Sequence, residues 1–356
     1  MTPTSPSAET PSPATTDEAA ASVSVGATAD RTIQFIQSVR EYVARVVVGQ
    51  DVVVERMLIS LFTGGHLLLQ GVPGIAKTLL ASSLSRAIDL EFSRVQFTID
   101  LLPSDILGSE ILDQRSQEFH VNRGPIFAHL LLADEINRAA PKVQGALLEA
   151  MQEHRVTIGK ETFPLPAPFL VIATQNPVEQ AGTFELPEAQ LDRFMLCHRL
   201  QYPTRDQECE VLRRNMGLGV ARQEQGAIAR TEFDMIDQQA VGSQEDLVEA
   251  MEQVHQVHVS ETFLEHVVEL VNRTRNHQAI ELGASPRAGI SLIKASRARA
   301  LIHGRDYVIP EDLYALAEDV ILHRIRLNYE ALAEGRQGVE VLQEMLSGMG
   351  AMTGTM

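Results

Sequence analysis

The sequence predicts an α/β fold, a parallel sheet flanked by helices, followed by a C-terminal all-helical domain. Three observations carry this reading. Short apolar runs bounded by glycine or polar residues recur between residues 66 and 198, as in strands buried on both faces of a parallel sheet. Helical stretches lie between most of these runs, the alternation of an α/β domain. The strand signals then stop near Thr204, and residues 204–332 read as helices.

Residues 1–29 are mostly Pro, Ser, Thr and Ala. Such a segment buries too little surface to offset its ordering entropy, so a disordered tail is expected. Order begins at Thr32–Val46, where Ile33, Phe35, Ile36, Val39, Tyr42 and Val43 recur at helical spacing. A turn at Val47–Gln50 leads to a second helix, Val52–Phe62. His66–Gln70, between Gly64-Gly65 and Gly71, is the first strand, and further strands are expected at Ser93–Phe97, Ala128–Ala133, Phe169–Thr174 and Phe194–His198. Two stretches exceed a plain connection: Leu101–Ile126, and Arg155–Pro168, which alternates and turns at Gly159-Lys160 as a β-hairpin does. Helices at Phe263–Asn276 and Gly289–His303 belong to the second domain. The expected organisation is thus a tail over 1–29, an α/β core over 30–203, a helical domain over 204–332 and a C-terminal tail over 333–356 with little to bury.

Composition narrows the function. The chain has 356 residues, 44% of them apolar, and 5% aromatic with no Trp, so an aliphatic core is expected. The formal net charge is −17. Phosphate-backbone binding needs clustered Lys and Arg, so nucleic acid is not the expected partner. Arg297, Arg299 and Arg305 lie close together but are spaced for a solvated helix face. Two cysteines, Cys197 and Cys209, make neither a disulfide framework nor a zinc motif. The N-terminus has no basic start and apolar segment, and no run approaches the ~18 apolar residues of a membrane helix. A cytoplasmic protein with no membrane insertion is expected.

Gly71-Val72-Pro73-Gly74-Ile75-Ala76-Lys77-Thr78 lies between the first strand and a helix over Leu79–Ile88, the context a phosphate-binding loop requires. Glycines let backbone N–H groups wrap a polyphosphate, and the following helix points its N-terminus at the same charge. Lys77 can reach the β- and γ-phosphates of ATP, and the Thr78 hydroxyl can bind Mg²⁺. Ala76 stands where the usual pattern has glycine. The strand through Ala133 ends in Asp134-Glu135: Asp134 is placed to hold Mg²⁺ and Glu135 to polarise an attacking water. The same two acids could instead cap a helix beginning near Pro141. Phe169–Thr174 leads into Gln175-Asn176-Pro177, where Asn176 could orient the hydrolytic water or simply form an Asn-Pro turn.

These motifs in this order resemble an AAA+ ATPase, and more narrowly the MoxR family. The narrower resemblance rests on Gly71–Thr78 and on Ala133-Asp134-Glu135-Ile136-Asn137-Arg138-Ala139. Leu147–Met151, Ala173–Pro177, Leu186–Phe194 and Gly283-Ala284-Ser285-Pro286-Arg287 extend it across most of residues 40–330. The resemblance implies a ring, hexameric in the family, that hydrolyses ATP with Mg²⁺ and remodels or assembles client protein complexes in a chaperone-like way, with a von Willebrand factor A domain protein as a partner. It implies that Asn176 is sensor 1, Arg193 the arginine finger and Arg287 sensor 2, with cis or trans action of Arg287 left open. An internal ion pair of Arg193 with Asp192 or Glu188 is the competing reading. Leu101–Ile126 resembles the helix-2 insert and Arg155–Pro168 the pre-sensor-1 hairpin. Two other functions share this framework, a DNA-directed motor and a metal-chelatase ATPase subunit.

Overall fold

The computed structural model describes residues 17–353 apart from 73, 116, 178–181, 224, 225, 237 and 238. Residues 1–16 of the expected tail and Pro73 of the glycine-rich loop therefore lie outside the described residues. Five parallel strands form the central sheet: β1 (Leu67–Gln70), β2 (Phe92–Gln96), β5 (Leu130–Asp134), β8 (Leu170–Gln175) and β9 (Leu196–Arg199), in the spatial order β2-β5-β8-β1-β9. Each expected strand is present within two residues of its expected ends. The intervening labels belong to two hairpins, β3 (Gly108–Leu112) with β4 (Phe119–Arg123) and β6 (Arg155–Ile158) with β7 (Glu161–Pro164).

Strand alternation sends side chains to opposite faces. Leu67, Leu69, Leu130, Leu132, Ile172 and Leu196 join one aliphatic core with α1 (Asp17–Val46), α2 (Asp51–Thr63) and α3 (Lys77–Ala87). Leu68, Leu131, Ala133, Val171 and Ala173 join a second, smaller core on the other face with Leu147, Leu148 and Met151 of α5 (Pro141–Glu153). Burial on both faces is why these strands are continuously apolar.

The insert at Leu101–Ile126 consists of α4 (Pro103–Leu107) and the β3–β4 hairpin. Gly108, at φ +106°, could not carry a Cβ, which would fall 2.3 Å from the Asn122 carbonyl oxygen of the opposing strand. The β6–β7 hairpin turns through Gly159-Lys160 as expected.

Beyond β9, a short α6 (Glu188–Leu191) having preceded it, the chain is mainly helical: α7 (Arg205–Met216), α8 (Gln244–Gln256), α9 (Glu261–Asn276), α10 (Pro286–Ile302) and α11 (Pro310–Ile321). It is not purely so. Val220–Gln223 pairs with Gly226–Ala229, and Ile280–Leu282 with Arg326–Leu327, both antiparallel. These runs are too short to give a strand period. Two further differences concern the ends. Residues 17–29, part of the expected disordered tail, continue the first helix backward; alanine's high helix propensity opposes the shortage of apolar surface there. After α12 (Tyr329–Ala333), which closes the helical domain, the expected C-terminal tail contains α13 (Gly338–Thr353), and α13 buries Val341, Leu342, Met345 and Met349.

The helical domain is locked to the core through buried charge. On α2, Arg56 binds Glu55 and donates to Asp319 of α11 at 2.5 Å and to the Ala315 carbonyl at 2.9 Å. Arg299 and Arg305 do not form the solvated face expected of them. Both donate to the fully buried carboxylate of Asp312, at 2.5 and 2.7 Å.

Candidate functional site

The expected site residues other than Arg193 and Arg287 gather along the carboxyl edge of the sheet, where open parallel sheets bind ligands. The loop after β1 is anchored by the Gly71 N–H, which donates to the Gln175 carbonyl at 3.1 Å. Gly74 sits at φ +85°, a conformation that favours glycine. Ala76 has φ +50° and ψ +25°, so it takes the left-handed backbone of the glycine it replaces, at a cost of about 1–2 kcal/mol. Ala76 is also the N-cap of α3 and supplies no side-chain cap. The first N–H groups of that helix are thus free of side-chain acceptors and available to an anion.

Lys77 folds back over the loop, its Nζ donating to the Gly71 carbonyl at 2.8 Å. Partial burial pushes its ammonium pKa down, while Asp134 and Glu135 pull it back up. A cavity of about 590 Å³ brings together Lys77, Thr78, Asp134, Glu135 and Asn176, a volume in the range of small-molecule sites. Leu79 lines it, as do Ile75 and Ala76; Gly71 and Val72 lie just behind, at the end of β1. Val47, Val48, Phe233 and Met235 form an apolar end.

Asp134 and Glu135 do not cap the helix at Pro141: α5 begins there with Ala140 at its N-cap, and Glu135, which precedes the 3-10 turn Ile136–Arg138, makes no side-chain cap bond. Instead Thr174 ties both acids to β8. Its hydroxyl donates to Asp134 Oδ1 at 2.6 Å and accepts from the Glu135 N–H at 2.8 Å. Glu135 has φ +57° and turns its carboxylate toward β2, where Gln96 Nε2 donates to Oε2 at 2.9 Å. Arg94, two residues earlier on the same face of β2, donates to Asp134 Oδ2 at 2.7 Å. Thr174, Gln96 and Arg94 escaped the sequence reading. Each is an ordinary strand residue until the order β2-β5-β8 sets it beside the acids; Arg94 and Gln96 flank Val95, the one buried residue of an edge strand.

Oxygen donors from Asp134 and Thr78 suit Mg²⁺, a hard cation that keeps several waters and relies on nucleotide phosphates for its remaining ligands. Among the described residues no cluster of three His, Cys, Asp or Glu side chains could hold a metal alone.

Arg193 and Arg287 do not line this cavity. They share a separate cleft of about 260 Å³ with Gly65, His66, Asp192 and Lys294. Arg193 stands three residues before β9, whose Leu196 is level with Leu67 at the start of β1, whereas Lys77 lies beyond the end of β1. The two basic residues are therefore at the opposite end of the sheet from the loop. The competing ion pairs do not form. Asp192 accepts from Arg324 Nε at 2.8 Å and from the Ser285 hydroxyl at 3.1 Å, and Glu188 pairs with Arg326 at 2.5 Å. No hydrogen bond or ion pair joins the Arg193 side chain to any described residue.

Residues 66–196 match the model of the ATPase family associated with various cellular activities, and residues 272–345 match the AAA lid domain. The chain is 45% identical over 301 residues to the chaperone MoxR1 of Mycobacterium tuberculosis, covering 82% of this chain and 76% of that one. It is 43% identical over 307 residues to the uncharacterised protein YeaC of Bacillus subtilis, covering 86% and 92%. The crystal structure of a candidate ATPase from Cytophaga hutchinsonii superimposes with a TM-score of 0.82 at 43% identity, over 92% of this chain and 98% of that one. With the glycine-rich loop and strand-end acids inside the first matched span, the lid inside the second, and 45% identity to a MoxR chaperone, the chain belongs to the MoxR family of AAA+ ATPases.

Proposed function

We propose that this ATPase binds Mg-ATP in the Gly71–Thr78 loop and works as a ring of identical subunits, hexameric like the family, each completing its neighbour's site. The observation that carries this reading is the separation of Arg193 and Arg287 from the cavity that holds Lys77, Asp134, Glu135 and Asn176. An arginine at the far end of a strand rising about 3.3 Å per residue cannot reach its own γ-phosphate. It can reach one presented by a second copy.

In this reading the loop amides and Lys77 hold the phosphates, and Thr78 and Asp134 would hold Mg²⁺, which would supply charge neutralisation for the triphosphate. Glu135 polarises the attacking water and Asn176 orients it. Arg193 of the adjacent copy, always charged and fork-shaped, stabilises the charge that develops on the transferred phosphoryl group. Arg287 acts from the same cleft, hence in trans. The apolar end at Val47, Val48 and Phe233 takes the base.

The work of the cycle is chaperone-like remodelling or assembly of protein complexes in the cytoplasm, with a von Willebrand factor A domain protein as partner. A net charge of −17 favours protein clients over nucleic acid. Replacing Arg193 separates binding from chemistry: Arg193→Ala is expected to keep nucleotide affinity within about threefold while hydrolysis falls about 10³-fold or more. Wild-type turnover in that variant removes the finger assignment.

A further inference from the structure

We propose that Arg94 is a positioning residue for the cation site: its guanidinium takes the place on Asp134 that the divalent cation needs, and must yield before Mg-nucleotide can seat. The proposal rests on the assignment of Asp134 as a magnesium-binding residue, and the geometry around that carboxylate argues for it. Oδ1 is engaged by the Thr174 hydroxyl at 2.6 Å, which fixes the carboxylate plane. Oδ2 is then the oxygen left for a cation, and Arg94 Nη2 stands on it at 2.7 Å. A doubly charged ion and a guanidinium on one oxygen would lie within a few ångströms of each other, with strong mutual repulsion. They exclude one another.

The arginine has somewhere to go. β2 is the edge strand of the sheet, and the Arg94 side chain is 45% exposed, so it can swing outward without disturbing the core. Its departure reaches further than Asp134. The same Nη2 donates to Gln96 Oε1 at 2.9 Å, and the Gln96 amide in turn donates to Glu135 at 2.9 Å. A single guanidinium nitrogen thus holds the metal carboxylate directly and the water-polarising carboxylate through one amide. Departure of Arg94 takes the donor from Gln96 Oε1 and frees that amide to reorient, while Arg138 stays beside Glu135 at 3.3 Å. A surface ion pair kept for stability alone has no reason to join two functional acids in this order.

The test reads binding rather than turnover. Affinity for a fluorescent, non-hydrolysable ATP analogue is measured for the full chain while free Mg²⁺ is raised from EDTA conditions to about 10 mM. In Arg94→Met, which keeps the aliphatic stem and removes the charge, the Mg²⁺ concentration giving half-maximal tightening is expected to fall about two- to fivefold, the weight of one half-exposed ion pair. Arg94→Lys should lie between wild type and Arg94→Met, and Arg94→Gln should repeat the Met result if that variant is insoluble. A half-point that stays unchanged or rises in folded Arg94→Met and Arg94→Gln overturns the proposal while leaving the nucleotide site intact. Mg²⁺-independent binding by the wild type would overturn the Asp134 assignment, and the proposal with it.

Discussion

At the scale of single residues, the chemistry of the site was legible where it depends on neighbours in sequence and hidden where it depends on neighbours in space. Gly71–Thr78 is one continuous stretch of sequence that runs into the start of α3, so the spacing of its glycines, lysine and hydroxyl alone suggests a phosphate site. Ala76 broke the glycine pattern, and only the backbone reveals that it adopts φ +50° all the same. Arg94, Gln96 and Thr174 come from two strands that flank Asp134, and no spacing links them. His66 is a similar case. Buried among β1, β8 and α5, it donates through Nε2 to the Met151 carbonyl at 3.2 Å and accepts at Nδ1 from the Val171 N–H at 3.1 Å. These bonds hold the neutral tautomer, and burial lowers its pKa to about 4. The unfolded chain, near 6.5, binds a proton first as pH falls. Stability contributed by neutral His66 is therefore complete above about pH 6.5 and is lost as pH drops through about 4, a total near 3 kcal/mol. Chemical denaturation between those pH values should show this loss, and His66→Asn should flatten it. Equal slopes in the two proteins would contradict the assignment.

At the scale of elements, strands were easier to read than their surroundings. A run such as Leu67-Leu68-Leu69 leaves little choice, since both faces are covered by helices. Leu101–Ile126 was recognised as an insertion, but its hairpin depends on pairing Gly108–Leu112 with Phe119–Arg123 across a turn with no strong signature. The last helix was misjudged because the Gly, Met and Thr at the extreme end outweighed the apolar stripe before them. Val341, Leu342, Met345 and Met349 recur at helical spacing and pack into the core that α9 and α11 share. Leu342 is 2% exposed, so Leu342→Ala is expected to cost about 2–5 kcal/mol by loss of burial and cavity formation. Urea denaturation measures this directly, and a cost under about 0.5 kcal/mol, typical of a surface position, would mean that α13 does not pack as described.

At the scale of the whole molecule, one arrangement governs the rest: Lys77, Asp134, Glu135 and Asn176 at the carboxyl edge of the sheet, Arg193 and Arg287 at the other end. Arg324, only 2% exposed in its side chain, holds Asp192 and the Phe194 and Met195 carbonyls. It thereby fixes the Arg193 turn to the helical domain, and any movement of that domain must carry Arg193 with it. No helix among the described residues is long and apolar enough to cross a membrane. The family could be recognised in the sequence because its motifs are local. The placement of Arg193 at the opposite end of the sheet from the loop could not, since it follows from the parallel register of β1 and β9. The most direct test of a shared site is subunit mixing. Lys77→Ala and Arg193→Ala are each expected to hydrolyse ATP at about 10⁻³ of the wild-type rate or less when alone. Mixed and reassembled, they should recover a readily measured fraction of wild-type turnover, because an Arg193→Ala subunit retains its loop and receives an intact arginine from a Lys77→Ala neighbour. A mixture no more active than its two components would contradict the account.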